Sequence, residues 1–451
     1  MRVPTQPFIL LGSVEAATEL LDRKSGIYSD RIEPIMMQLM RMTYNVASMP
    51  YAPKWRAHRR MFDQQFRLSE VHNFKAIQLK QARRFLSWVL SSPACTQMHT
   101  RRFVTAIIFL ITYGRKITDM DDEHVVLVEA VARGTSAAVL PGAFFVEFMP
   151  WLKFLPKWIP GQAFRKHADH YAPLINEMRD RPFADVQAAL DAGNAPTSWA
   201  RTLIERARAT DGGSSEGLKS LDLEKNVTAF AYAAAADTTA STIQSFLLAM
   251  ALFPDAQRRA QVELDEVVGP TRLPDFDDIE QLSFIRAIMM ETLRWIPVTP
   301  IGIPHAVTAD DEYKGQYIPK GSMIIPNVWT MMRNADDYPD PDAFQPGRFL
   351  DKDGNINTAV QDPTTIAFGF GRRICPGRHF AINSLLIFMA STLHVFDVTP
   401  GLDADGKPVE LTDEVLGEVV AMPRHVPCGF SPRFPGAERL VREAAGESDD
   451  L

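Results

Sequence analysis

The 451 residues predict a mainly α fold, a large helical lobe with a small β-rich lobe beside it. Helical apolar spacing recurs over long segments, whereas strand-like runs are short and bounded by Gly or Pro. Those runs flank the helical mass instead of alternating with it, which argues against a doubly wound sheet. With 46% hydrophobic and 23% charged residues the chain has the balance of a globular protein with a large buried core, and disordered, collagen-like and coiled-coil readings are excluded.

Taken in order, a strand at 7–11 precedes a helix at 14–22, and apolar spacing predicts further helices over 55–66, 71–90 and 163–190. The segment 226–253 has Asp237 as its sole charge and predicts one long helix; its length alone would also permit a membrane span. Helix 282–295 carries the stripe Leu282, Ile285, Met289 and Leu293. Pro297, Pro300, Pro304, Pro339, Pro341 and Pro346 cut 296–364 into loops and short strands, with strands expected at 301–307, 316–318 and 323–327. A last helix, 378–395, runs into a strand at 395–399. The run DGGSSEG at 211–217 predicts a flexible loop, and the acidic segment 435–451 a disordered tail after one domain spanning 1–434.

Lys and Arg number 48 against 55 Asp and Glu, a net charge of -7, with no basic tract suited to phosphates, so nucleic acid is excluded as a partner. Cys95, Cys375 and Cys428 form no CxxC and leave at least one thiol unpaired, which fits a reducing compartment.

The most informative segment is FGFGRRICPGRHF at 368–380. Gly369, Gly371 and Gly377 permit a tight turn with free amides, Pro376 suits a helix's first turn, and Arg372, Arg373 and Arg378 add positive charge. A thiol placed there is expected to ionise more readily. A lone cysteine is more often a buried small hydrophobe, but Phe368, Gly371, Arg373, Cys375 and Gly377 together match FxxGxRxCxG. This resembles the haem-ligand loop of the cytochrome P-450 family. The resemblance implies the P-450 fold, with haem b between a long distal helix and the proximal cysteine loop, and Cys375 as thiolate ligand of the iron.

Three further motifs carry the same resemblance. Glu291 and Arg294 form ExxR, and Phe344, Pro346, Arg348 and Phe349 form FxPxRF, although Gly347 stands where many relatives have Glu. By resemblance Glu291, Arg294 and Arg348 are a buried structural triad. AAAADTTAS at 233–241 resembles the distal-helix signature, with Ala235 replacing the usual Gly and an expected change in the local bulge. Reductive cleavage of O2 consumes protons, and a hydroxyl backed by a carboxylate can relay them, which makes Thr238 and Asp237 the expected catalytic pair. Haem propionates need donors. Trp55 and Arg59 resemble the family's WxxxR helix, Arg373 lies in the cysteine loop, and His305 is either a third such donor or an ordinary loop residue.

The resemblance is closest to fungal microsomal monooxygenases of the O-methylsterigmatocystin-oxidoreductase-like kind, and implies O2, NADPH-cytochrome reductase and a lipophilic substrate as partners. It further implies the cytosolic face of the endoplasmic reticulum. Segments 36–49, 230–236, 298–303 and 416–420 are the expected pocket liners. Lys54, Arg56, Arg59, Arg60, Arg372 and Arg378 make the cysteine side basic, an expected docking face for an acidic flavin domain. Segment 6–13 is expected to be the second strand of the N-terminal sheet, with the anchor, hinge, first helix and first strand missing. The aromatics of 139–160 either contact membrane or pack on the core. A non-catalytic haem binder or an inactive truncated form is the alternative reading.

Overall fold

A computed structural model describes residues 2–3, 6–119, 121–140, 142–156, 158–210, 221–416, 419–424 and 426–449. The long helices are α1 (Pro53–Phe66), α2 (Lys75–Ser91), α3 (Thr96–Tyr113), α4 (Glu123–Val139), α5 (Ala163–Asp191), α6 (Trp199–Thr210), α7 (Asp222–Leu252), α8 (Pro254–Val267), α9 (Ser283–Trp295), α10 (Arg378–Val395) and α11 (Ala437–Asp449). The strands are β1 (Arg2–Val3), β2 (Gln6–Leu11), β3 (His305–Ala306), β4 (Asp311–Tyr313), β5 (Gln316–Ile318), β6 (Met323–Pro326), β7 (Phe396–Pro400), β8 (Val415–Leu416), β9 (Met422–Pro423) and β10 (Cys428–Pro432). Among the described residues no helix is long and apolar enough to cross a membrane.

Helix α7 is the axis of the helical lobe. Its 31 residues reach about 46 Å, and it is apolar around its circumference because α1, α3, α5, α9 and α10 all pack on it. This packing on several sides explains the uncharged stretch that length alone would have allowed to cross a membrane. The small lobe has its own core, where Leu11, Leu20, Leu21, Ile324, Met331 and Phe370 meet.

Its sheet runs β1-β2-β6-β3. Strand β2 pairs parallel with β6, Phe8 opposite Met323, and β3 pairs antiparallel with β6, His305 opposite Ile324. Three expectations change here. The first strand, expected to be missing, is present as the two-residue β1, paired antiparallel with β2. Of 301–307 only His305–Ala306 is strand, since Pro304 lacks a ladder donor and Gly302 turns the chain at φ 57°. The tail expected to be disordered is α11 through Asp449: Ala437, Val441 and Ala444 are buried, a spacing of four and three that closes an apolar stripe on α2. The predicted loop at 211–217 lies outside the described residues, as do 417 and 418 of the predicted liner 416–420.

Candidate active site

The cysteine loop is held between the two cores. Phe370 is buried in the small lobe, and Phe380 enters the helical core, its ring centroid 5.7 Å from Phe66 and 5.8 Å from Phe74. Between them the chain turns at Gly369 (φ 77°) and Gly371 (φ 54°), and a Cβ on Gly371 would fall 2.1 Å from the Leu21 carbonyl oxygen. Glycine is therefore required at 371. The Cys375 amide donates to the Phe368 carbonyl at 2.8 Å and closes the loop. The Phe368 ring packs against the helical core, and Gly377 precedes α10.

Cys375 is half-buried by its own surface and lies deep in the protein. That depth raises its thiol above the ordinary range, against the opposing pull of the Gly377 amide and the Arg59 and Arg378 guanidinium groups. The expectation of a readily ionised thiol is thus not met by the protein alone, because desolvation outweighs the nearby positive charge. A bound metal ion reverses that balance by deprotonating the thiol it takes as ligand. Cys428, on β10, has no such surroundings; burial pushes it up to about 12. Cys95 is exposed.

Helix α1 bridges the loop and α7. Arg59 donates through Nη1 to the carbonyl of Ile374, the residue before Cys375, and pairs with Asp63 at 3.0 Å. From the neighbouring position His58 Nε2 accepts from Asn226 of α7 at 3.4 Å, and one turn further on Phe62 meets Phe230 of α7 edge-on at 5.7 Å. Two turns past Phe230, residues 235–238 are half-buried and Ala234 is exposed, although the flanking turns are sealed. An exposed residue on the axial helix of a large lobe marks interior space beside it.

Thr238 and Asp237 sit at that space. Thr238 Oγ1 donates to the Ala234 carbonyl at 3.0 Å, the back-bond of an ordinary helical Thr, which leaves its lone pairs unengaged by that bond. Asp237 is half-buried. Around them α7 is continuous α-helix, with no bulge at Ala235.

The donors predicted for the propionates gather at the edge of the small lobe. Arg373 donates to the carbonyls of Ser29 (2.7 Å), Val46 (3.3 Å) and Met49 (2.8 Å) and stacks 4.2 Å over the Trp55 ring. Burial pushes its guanidinium down to about 10. His305 is buried, its Nδ1 held 2.7 Å from the Tyr28 carbonyl, and burial together with Arg31 and Arg373 keeps it well below the usual histidine range. The sequence reading missed Arg31. This guanidinium is buried, donates to the Ile303 carbonyl, and is driven far down by burial and by Arg373. No motif marks Arg31; only the folded chain brings it beside Arg373 and His305.

The cluster has the character of an anion site. Trp55 Nε1 and Arg31 Nε are buried with no hydrogen-bond partner among the described residues. Asp30 bears on both Arg31 and Arg373, but its Oδ1 already accepts the amides of Arg31 (2.9 Å) and Tyr51 (2.6 Å). Buried donors without acceptors are costly, and a pair of carboxylates would satisfy them. The unpartnered donors of Trp55 and Arg31 therefore fit the acid groups of a haem.

The ExxR residues also meet. Glu291 and Arg294 are fully buried, joined by Nε–Oε2 at 2.7 Å and Nη2–Oε1 at 2.9 Å, and Arg348 reaches Oε1 at 3.3 Å. Arg294 also donates to the carbonyls of Met332, Pro341 and Ala343, and Gln345 donates its amide to Glu291 at 2.7 Å. The triad thus ties α9 to the proline-rich connection leading to the cysteine loop.

Helical axis, two-core cysteine loop and buried cation cluster are the parts that a haem-thiolate protein requires. Sequence comparison agrees: the Cytochrome P450 family profile matches residues 1–422, and this chain belongs to that family. It is 38% identical over 445 residues to cytochrome P450 monooxygenase COX2 of Coprinopsis cinerea, covering 98% of this chain and 84% of that one. Similar likeness links it to cytochrome P450 monooxygenase ARMGADRAFT_974139 of Armillaria gallica (36%, covering 98% and 86%) and to eriA of Hericium erinaceus (38%, covering 98% and 82%). The family implies a haem held by a cysteine thiolate, a redox partner, O2 and a small-molecule substrate, and the chain is a monooxygenase.

Proposed function

We propose that this monooxygenase hydroxylates or epoxidises a lipophilic small molecule of fungal secondary metabolism, with electrons from an NADPH-cytochrome reductase. The observation that carries the reading is the buried cluster of Arg31, Trp55, His305 and Arg373, in which Trp55 Nε1 and Arg31 Nε lack acceptors and Arg373 lies two residues from Cys375. Bound haem supplies the centre at which one atom of O2 enters an unreactive C–H or C=C bond while the other leaves as water.

The chain's own residues do the rest. Cys375 Sγ is the iron ligand; Phe368, through its carbonyl, and Gly377, through its amide, fix the loop and the sulfur. Trp55 Nε1, Arg59, Arg31, Arg373 and His305 hold the propionates. Two negative charges there favour the imidazolium form of His305, opposing the burial that now lowers it. Thr238 Oγ1 and the Asp237 carboxylate move protons to the O2 side of the pocket, the hydroxyl giving its hydrogen inward and regaining one from the acid.

Exposed Lys54, Arg56, Arg60 and Arg372 form the face for the acidic flavin domain. Phe145, Trp151, Phe154 and Trp158 are 72%, 57%, 78% and 81% exposed, too open to be core, and support contact with a membrane surface at the cytosolic side of the endoplasmic reticulum. The test is reconstitution with reductase and NADPH against terpenoid, polyketide and aromatic alkaloid panels. A product one oxygen heavier is expected, with Thr238→Ala cutting product per NADPH roughly tenfold or more as peroxide rises. Haem-loaded protein that consumes no NADPH with any panel member would overturn the reading.

A further inference from the structure

Of the five hydroxyl side chains between residues 238 and 245 of α7, three behave alike. Thr238 donates back to Ala234 at 3.0 Å, Thr242 to Thr238 at 3.2 Å and Ser245 to Ser241 at 3.0 Å, each to the carbonyl four residues earlier. Ser241 breaks the pattern. Fully buried, it donates instead to the carbonyl of Ala421, 180 residues away. The amide of Ala421 in turn donates to the carbonyl of Val298 at 2.8 Å.

One hydroxyl thus fixes two loops at once. Ala421 is buried and leads directly into β9, which packs on α7, and Val298 opens the turn after α9 in which the Gly302 amide donates to Thr299 at 2.9 Å. Neither loop is tied to this part of α7 by regular secondary structure. Both are instead set relative to a point one turn beyond Asp237 and Thr238. A local back-bond would have satisfied the hydroxyl equally well, so what the bond to Ala421 adds is a tie between α7 and that distant carbonyl.

We propose that Ser241 is a positioning residue. Through Ala421 and Val298 it sets the walls on which a bound molecule rests against the Asp237–Thr238 turn, and so governs which ligand shapes are accepted. The placing of a ligand at this turn rests on the proposed function; the clasp itself does not.

The test compares Ser241→Ala with Ser245→Ala in the haem-loaded full chain, since the second variant loses an equally buried hydroxyl that holds no loop. Hydrogen exchange at the Ala421 amide is read first. It is expected to quicken about tenfold in Ser241→Ala and to be unchanged in Ser245→Ala. Spectral titration with imidazole and with 4-phenylimidazole is read second. Imidazole affinity is expected to hold in both variants, while Ser241→Ala weakens 4-phenylimidazole by about threefold to tenfold, the scale of one lost hydrogen bond spread over a wall. Equal Ala421 exchange in the two variants, or an unchanged ratio of the two affinities, would overturn the proposal. Failure of the parent protein to give any imidazole spectrum would instead refute the haem reading, and the exchange measurement alone would then decide the clasp.

Discussion

Replacing Glu291 by Ala tests how the connection to the cysteine loop is held. The carboxylate is fully buried and accepts four hydrogen bonds, two from Arg294 and one each from Arg348 and the Gln345 amide. Its loss leaves two guanidinium groups uncompensated, one fully buried and one with a 7% exposed side chain. Removing one partner of a buried pair costs about 3–5 kcal/mol. The backbone carbonyls of Met332, Pro341 and Ala343 keep Arg294 hydrogen-bonded and place the cost toward the lower end. With an unfolding entropy of about 2.1 cal/mol/K per residue, a chain of this length loses about 1 °C of melting temperature per kcal/mol. A fall of about 3–5 °C is therefore expected by circular dichroism, together with poor haem retention. Glu443→Ala, which breaks an exposed pair with Arg439, should leave the melt unmoved. If Glu291→Ala melted within about 1 °C of the parent and kept its haem, the triad would not be what holds the connection.

Acid should destabilise the fold through its buried histidines. His394 is buried, bonded by Nε2 to the Arg272 carbonyl at 3.0 Å, and desolvation pushes it down to about 4. Its folded value lies below the unfolded one, so the unfolded chain binds more protons between about pH 6.5 and 4 and stability falls as pH drops through that window. The loss is about 2 kcal/mol by pH 5 relative to pH 7.5. Denaturation midpoints at those two pH values should differ less in His394→Gln, and an unchanged difference would contradict the assignment. Charge reversal at Arg56 and Arg60, both exposed, should slow reduction by the flavoprotein severalfold, more at low salt, without shifting the haem spectrum. Equal stopped-flow reduction rates would remove that face from docking.

The elements legible in the sequence are those whose signal is local. Helix α7 could be read from its lack of charge, and the cysteine loop from glycines, proline and cysteine at fixed spacing, because each position answers a local backbone or side-chain demand. Gly371 shows this directly, since the Leu21 carbonyl leaves no room for a Cβ. What escaped depends on distant partners. Strand β1 is two residues long and exists only through β2. Helix α11 looks like an acidic tail until α2 covers Ala437, Val441 and Ala444. Arg31 carries no motif, and its role emerges only where Arg373 and His305 converge on it. At Cys375 the spacing reveals nearby cations but not the depth of burial that outweighs them.

The central claim is that Cys375 holds a haem iron as thiolate, and the most direct measurement is the difference spectrum of dithionite-reduced, CO-treated protein. Parent protein and Cys428→Ser are expected to share a strongly red-shifted Soret band, since Cys428 lies buried on β10 away from the loop. Cys375→Ser should lose that band while its remaining fold, followed by circular dichroism, persists. A red-shifted band that survived Cys375→Ser, or that never formed in haem-loaded parent protein, would contradict the account.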